Sequence, residues 1–373
     1  MELSGFLSTV DSESPSGVDL RNEAAFHAIE RQLEPAAREV RKSEREDDPP
    51  TAANVGWQDL FDEAATLAKT GRDLRLLVIV VRALSNTNGL GGLVQGLQLI
   101  TQTLEQYWDS VHPMLRDRDS PRDAALRRTN ALKQLENDDN GLLGDLEMNA
   151  LLQPRGIGIV TGQNMADAAR TDFECINEAP QGLSEDDKAK ILARHERNQA
   201  RVIAACRAIA TEEPEVADAL KTDVASALAE LAKLCEVYTT SGKFEDGTGL
   251  IFLELELFLT RTKQVMEANM QATANEHPTT QAAGSATSNG AAPTTPAQQT
   301  ISSGVNSRED VIASLTQIIE FYNRTEPSSP IPHLAERMRR MVPMNFIELM
   351  EEIAPSGIKE FRNVAGVGNG KPK

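Results

Sequence analysis

Four short stretches hold side chains whose types and spacing could do chemistry. Tyr107 to Pro113, YWDSVHP, gathers a tyrosine, a tryptophan and a histidine in a chain with only 4% aromatic residues. A histidine so placed could act as a general base, and the rings could line a pocket. Glu136 to Glu147, ENDDNGLLGDLE, can be read as a calcium loop. It has oxygen-bearing side chains at Glu136, Asp138 and Asn140, Gly141 at the sharp turn, and Glu147 last. Its first position should be Asp, however, and Pro154 leaves little room for an exit helix, so an acidic turn between helices is the better account. GLGGLVQG at 89–96 has the glycines of a phosphate-cradling loop but neither the Gly-Lys-Ser/Thr ending nor a preceding strand. Those glycines suit a tight turn and a close approach of helices. HERNQ at 195–199 lacks the second histidine of HExxH, and with it the zinc-protease geometry; it fits a solvated helix face.

No hydrolase pattern fills the gap. The five histidines sit in unrelated contexts and no GxSxG occurs. Cys175, Cys206 and Cys235 are an odd set without metal-type spacing, which fits a reducing compartment. The expectation is a protein that is not an enzyme, with no catalytic, cofactor-binding or metal-binding residues and no cofactor. A formal charge of -18 repels phosphate backbones and anionic headgroups, so nucleic acid and membrane surfaces are poor partners. MELSGFLSTVDSES has neither a basic nor an apolar leader region. LRLLVIVVRAL, Leu74 to Leu84, is shorter than the roughly 20 residues that span a bilayer and holds two arginines, so it reads as a buried helix. The expected location is the cytoplasm.

The elements that must position these residues read as helices throughout. Phe26, Ile29 and Leu33 share one face after an extended start, and a charged, proline-broken patch follows at 41–50. Leu60, Phe61, Ala64 and Leu67 recur after Trp57, and Thr70-Gly71 closes that helix. The apolar density from Asp73 to Leu84 requires burial on most sides. Leu93, Leu97, Ile100, Leu104, Tyr107 and Val111 form the stripe of a further helix about five turns long. Pro113 has no N–H and disfavours helical geometry at His112, so YWDSVHP is expected to be a helix terminus. There Tyr107 and Trp108 would fasten the helix to its neighbours, and His112 would favour the C-terminal dipole.

Helical patterns continue at 122–136, 163–178, 184–211 and 214–237. GIGIV, 156–160, is the only strand-like fragment, too short to argue for a sheet. Leu250 to Leu259 alternates over its middle yet runs on without a turn signal, which favours helix. Pro278 to Thr300 carries no charge, no aromatic residue and no bulky aliphatic one, and cannot bury enough to order itself. Beyond it, Ser307 to Asp310 reads as a capping-box start. Three short apolar stripes follow: Val311 to Tyr322, Ile331 to Val342, and Phe346 to Ile353. The fold class expected is all-α, with helical regions at 1–155 and 156–272, a flexible polar linker at 273–306 and a small helical region at 307–373.

The order of four blocks is specific. PSGVDLR, then WQDLFDEAATLAKTGRDLRLLVIVVRAL from Trp57, then NGLGGLVQGLQLITQTLEQYWDSVHP resemble the ImpA-related N-terminal domain of the TssA family from bacterial type VI secretion systems. PSSPIPHLAERMRRMVPMNFIELMEEIAPSGI resembles the closing segment of that family, in the subgroup with a baseplate-like C-terminal region. The resemblance covers about half the chain and makes Trp57, Asp73, Leu74, Arg75, Tyr107, Trp108, His112 and Pro113 structural landmarks without a catalytic role. It implies a cytoplasmic assembly protein that associates with the baseplate and membrane complex and helps prime or coordinate growth of tube and sheath. A generic helical adaptor, or an enzyme of unrecognised type, is the alternative.

The tail adds a physical reason for self-association. Three short helices on a tether bury too little to stand alone. Copies packing through Leu334, Met338, Met341, Val342, Phe346 and Leu349 would supply the missing burial. A ring-like homo-oligomer formed after about residue 305 would then carry the N-terminal helices on flexible arms, and weak arm contacts would add by avidity.

Overall fold

The computed structural model describes residues 2–43, 48–177, 179, 183–244, 249–271, 308–325 and 331–342. The chain divides into two compact units, Met1–Thr279 and Thr280–Lys373. The expected linker at 273–306, apart from its division between the units, lies outside the described residues. So do Phe346, Leu349 and the third stripe of the tail.

The first unit is helical, with one small ribbon. Its amino-terminal part holds α1 (Ser4–Leu7), α2 (Ala24–Gln32), α3 (Arg38–Arg41) and α4 (Trp57–Leu67). The stripes read from the sequence explain their burial: Phe26, Ile29 and Leu33 of the α2 region and Leu60, Phe61, Ala64 and Leu67 of α4 all face the core. α5 (Leu74–Tyr107) is the centre of the unit, packed by α4, α7 and α11. Its path reverses at Gly89, whose φ of 61° and ψ of -143° leave the helical region. Two arms, 74–88 and 90–107, therefore run antiparallel.

Glycine lets those arms touch. A Cβ on Gly92 would lie 2.1 Å from the Leu84 carbonyl oxygen, and one on Gly96 would lie 2.9 Å from both Val81 methyls. The turn and close approach expected of GLGGLVQG are both present. α5 as a whole is long and apolar enough to cross a membrane, so the shortness of Leu74–Leu84 does not by itself decide the matter. The reversal at Gly89 and the burial of most of the apolar window inside the protein account for that apolarity as core.

α6 (Pro121–Leu132) starts with Ser120 accepting from the Asp123 N–H at 3.4 Å and proline in its first turn, and a 3-10 turn, Lys133–Glu136, follows. α7 (Leu142–Met148) leads into β1 (Ala150–Leu152), which pairs antiparallel with β2 (Val160–Thr161). Of the strand-like fragment at 156–160 only Val160 lies in a strand; the residues before it form the turn and loop that join β1 to β2. β1 lacked any strand pattern because it is only three residues long.

The helix expected over 163–178 is two helices, α8 (Gly162–Ala168) and α9 (Asp172–Asn177). Thr161 and Asn164 form a reciprocal cap on α8, at 3.2 and 3.1 Å. α10 (Glu185–Glu212) opens on Ser184 with three acids in its first turn; α11 (Pro214–Gly242) and α12 (Leu253–Asn269) follow. The alternating stretch expected to be helical from Leu250 is so from Leu253 onward. One buried apolar cluster runs from Phe6 to Met270, continuous across residue 155.

In the second unit the described helices are α13 (Arg308–Thr325) and α14 (Ile331–Met341), which pack on each other. Leu315 and Ala335 are buried there. Both units agree with an all-α fold class.

Candidate functional site

Three sequence blocks far apart in the chain meet at one end of α5. Gly17 pairs with Gly71 and Asp73 with His112 in extended geometry. The Arg72 N–H donates to the Ser16 carbonyl (2.8 Å), the His112 N–H to the Arg72 carbonyl (3.0 Å), and the Leu74 N–H to the His112 carbonyl (2.9 Å). The approach of Gly17 and Gly71 demands glycine: a Cβ on either would sit 2.2 Å from a carbonyl oxygen of the other strand, and Gly17 has φ of 59°.

This seam corrects one expectation. α5 ends at Tyr107, not at His112. Beyond it one turn remains, with the Val111 N–H donating to the Tyr107 carbonyl at 2.8 Å, before the backbone of His112 is taken up by Arg72 and Leu74. His112 is 8% exposed and lies beyond the helix, so its ring does not serve the dipole; its Nε2 lies 3.1 Å from the Gly17 carbonyl oxygen. The peptide bond from His112 to Pro113 is cis.

Arginines hold the seam together. Arg72, buried, donates to the carbonyls of Phe6 (2.9 Å), Pro15 (2.8 Å) and Ser8, and stacks 4.1 Å from the Tyr107 ring centre. Tyr107 in turn donates its hydroxyl to the Leu7 carbonyl at 2.7 Å. Arg128, with no exposed surface, donates to the carbonyls of Pro113 (2.8 Å), Val111 (2.6 Å) and Trp108. Burial pushes the Arg128 guanidinium down to about 10, opposed by its nearness to Tyr238 and Asp109. The Trp108 ring lies under Arg128 at 5.0 Å and packs edge-on against Tyr238 at 5.3 Å and Phe244 at 6.3 Å.

Asp73 caps α5 by accepting from the Arg75 N–H at 2.9 Å, and its carboxylate also accepts from the Arg75 side chain. Arg75 bridges on to Asp19 and lies 5.8 Å from the Phe26 ring centre. Burial pushes the Asp19 carboxyl up, but the Arg21 amide and Arg75 outweigh it and hold it below the ordinary value. Leu74 is wholly buried beneath. Of the landmarks, Asp73, Leu74, Arg75, Tyr107, Trp108, His112 and Pro113 meet here, while Trp57 stands apart, 5.9 Å from the Arg82 guanidinium.

Arg82 belongs to a second buried cluster. Its guanidinium donates to the Asp145 carboxylate at 2.6 and 3.2 Å and to the carbonyl and side chain of Asn140. Arg41 lies 4.0 Å from the same carboxylate and donates to Thr51 and Asn149. Burial pushes the Asp145 carboxyl up, with Arg82 and Arg41 opposing. Within the stretch read as a calcium loop, Glu147 is paired with Arg38 and Glu136 with Lys133. The side-chain oxygens of Glu136, Asn140, Asp145 and Glu147 are thus engaged within the chain.

Chemically, the seam is a clamp. The Ser110 hydroxyl is bonded to Ser16 at 2.8 Å, and His112 faces a backbone carbonyl rather than a hydroxyl it could activate. Sequence reasoning missed Arg72, Arg128, Arg41 and Asp145. For Arg128 the available signal was its place on the same helical face as Ala125 and Leu132.

Two of the clefts among the described residues of the first unit adjoin these elements. One, about 480 Å³, runs beside the seam past Asp19, Arg75, Pro113 and Arg127. The larger, about 820 Å³, is lined by Arg38, Lys42 and Ser43, by Asp48 to Pro50, by the α8–α9 corner and by α10. His195 lines it at 8% exposure, which corrects the solvated face expected of HERNQ. The inner side of α10 continues through it, with Asn198 and Gln199 donating to the carbonyls of Asn164 and Ala168. In the second unit, Leu334 and Met338 are 59% and 56% exposed, one turn apart on α14, and Met341 and Val342 are half-buried at its end.

Comparison with known proteins agrees with this architecture. The family described as ImpA, N-terminal, type VI secretion system matches residues 7–137, which contain Gly17, Gly71 to Arg75, Tyr107 to Pro113 and Arg128. Type VI secretion system component TssA1 of Pseudomonas aeruginosa is 30% identical over 367 residues, covering 96% of this chain and 97% of that protein. A solved N-terminal domain of the TssA component from Burkholderia cenocepacia, including its ImpA N-terminal region, shares the fold with a TM-score of 0.50 and 20% identity. It covers 72% of this chain and 93% of that one.

Proposed function

Because the chain belongs to the TssA family of type VI secretion system components, we propose that it is a cytoplasmic, non-enzymatic assembly protein of that machine. It associates with the baseplate and the membrane complex, and it primes or coordinates polymerisation of tube and sheath. Likeness along 97% of the length of TssA1 carries the reading. The use of His112, Asp73, Asp19 and the buried arginines in holding backbone together supports a scaffold over a reaction centre.

Self-association completes it. Leu334 and Met338 stand out on one face of α14 in the single chain, and their burial between copies would stabilise by about 1.5–3 kcal/mol per side chain. Met341, Val342, Phe346 and Leu349 extend the same contact, closing a ring from which the first units reach separate subunits of the machine. Weighing the full-length chain by sedimentation tests this: a monomer at micromolar concentration overturns the ring. Capture of tube, sheath and baseplate subunits by immobilised full-length protein tests the assembly role, and failure to retain any of them returns the chain to a generic helical adaptor.

A further inference from the structure

The 820 Å³ cleft is out of character with its chain. The protein carries a formal charge of -18. Yet among the described residues this cleft is walled by Arg38, Lys42, Arg170, Arg194, Arg197 and Arg201 against two carboxylates, Asp48 and Asp167. Part of that charge is engaged internally: Arg38 pairs with Glu147, and Arg170 with Asp167 at 3.2 Å. Arg197 and Lys42 are exposed, and the side-chain contact of Arg201 is a long one, 3.4 Å to Asn198.

Helical spacing builds the wall. Lys190, Arg194, Arg197 and Arg201 follow one another at steps of four, three and four, which places them along one flank of α10. That flank is fixed in place, because Asn198 and Gln199 tie the helix to α8 and Val202, Cys206 and Ile209 anchor its other side in the core. The cleft is therefore a preformed groove between two parts of one unit, where recognition sites commonly sit.

We propose that this groove docks a short acidic peptide segment of a partner protein, with carboxylates held by Arg197, Arg201 and Lys42. Arginine suits the task because its planar fork can bond a carboxylate through two N–H groups. A duplex nucleic acid fits worse: its charges continue every ~1.7 Å beyond any groove and would overrun onto the acidic remainder of the surface. A short acidic run ends where the groove ends. The proposal concerns the first unit alone and stands whether or not the tail forms rings.

The test uses full-length protein and a fluorescein-labelled octapeptide of alternating glutamate and aspartate, followed by anisotropy at low salt. Wild type is expected to bind, and Arg197→Glu with Arg201→Glu to weaken binding by about tenfold or more. Arg197→Lys with Arg201→Lys should keep most of the affinity. Arg207→Glu with Lys233→Glu makes the same change in net charge at exposed positions outside the groove and should cost about threefold at most, with circular dichroism confirming the fold of each variant. Equal weakening by the outside pair, absence of binding to wild type, or equal competition by an unlabelled duplex of about 24 base pairs would each overturn the proposal.

Discussion

The first unit and the described helices of the second treat the same kind of apolar stripe in opposite ways. In the first, every large side chain of the stripes on α2, α4 and the arms of α5 finds cover within the chain, and even the buried charges have partners. On α14 the stripe of Leu334 and Met338 faces outward, and Ile318 of α13 is 41% exposed. An amphipathic helix that is not covered by its own chain has its stability supplied from elsewhere. Among the described residues, then, the stripes of the first unit are closed and the stripe of α14 is open.

The contrast breaks hardest at the buried charges. Arg82→Met leaves Asp145 without its main counter-charge inside the core, and a loss of about 3–5 kcal/mol is expected in urea unfolding of the first unit. Replacing Arg82 and Asp145 together with apolar residues should recover much of it. Arg128→Met comes next, stripping the donor from the carbonyls of Trp108, Val111 and Pro113, with about 2–4 kcal/mol expected by the same measurement. Thr161→Ala removes one half of the cap on α8 and should cost about 1 kcal/mol.

Smallest in stability is Leu334→Ser with Met338→Ser, which should leave unfolding of the first unit within about 0.5 kcal/mol while lowering the sedimenting mass of the full chain. Unchanged mass would remove α14 from the contact. Thiol chemistry sharpens the same comparison: burial pushes Cys206 up to about 12 and Cys235 up to about 11. At pH 8 both are held protonated; Cys206, which is buried, should react with a thiol reagent only as the first unit opens, while half-buried Cys235 should react earlier but slowly. Rapid labelling of Cys206 in the native state would contradict the closed core.

What the sequence shows and hides follows from range. The stripes of α2, α4 and α5, the glycine reversal at 89 and the helical state of 253–259 were legible because periodicity and turn chemistry are local signals. The end of α5 was misplaced because Pro113 was read locally, whereas pairing of His112 with Arg72, 40 positions earlier, decides where the helix stops. The burial of Arg72 and Arg128 was invisible for the same reason: their acceptors are backbone carbonyls, which carry no residue-type signature. His195 looked solvated because its neighbours Arg194 and Glu196 are; only the packing of α8 on α10 turns it inward.

The seam at the end of α5 carries one more consequence. Its acceptors for Arg72 begin at Phe6, and Arg128 completes its other side. As the protein leaves the ribosome, the earliest residues must wait for roughly the first third of the chain before their place exists. Shaving even a dozen residues from the front would take two of its three carbonyl acceptors from the Arg72 guanidinium, so a label or anchor for experiments belongs at the other end of this unit.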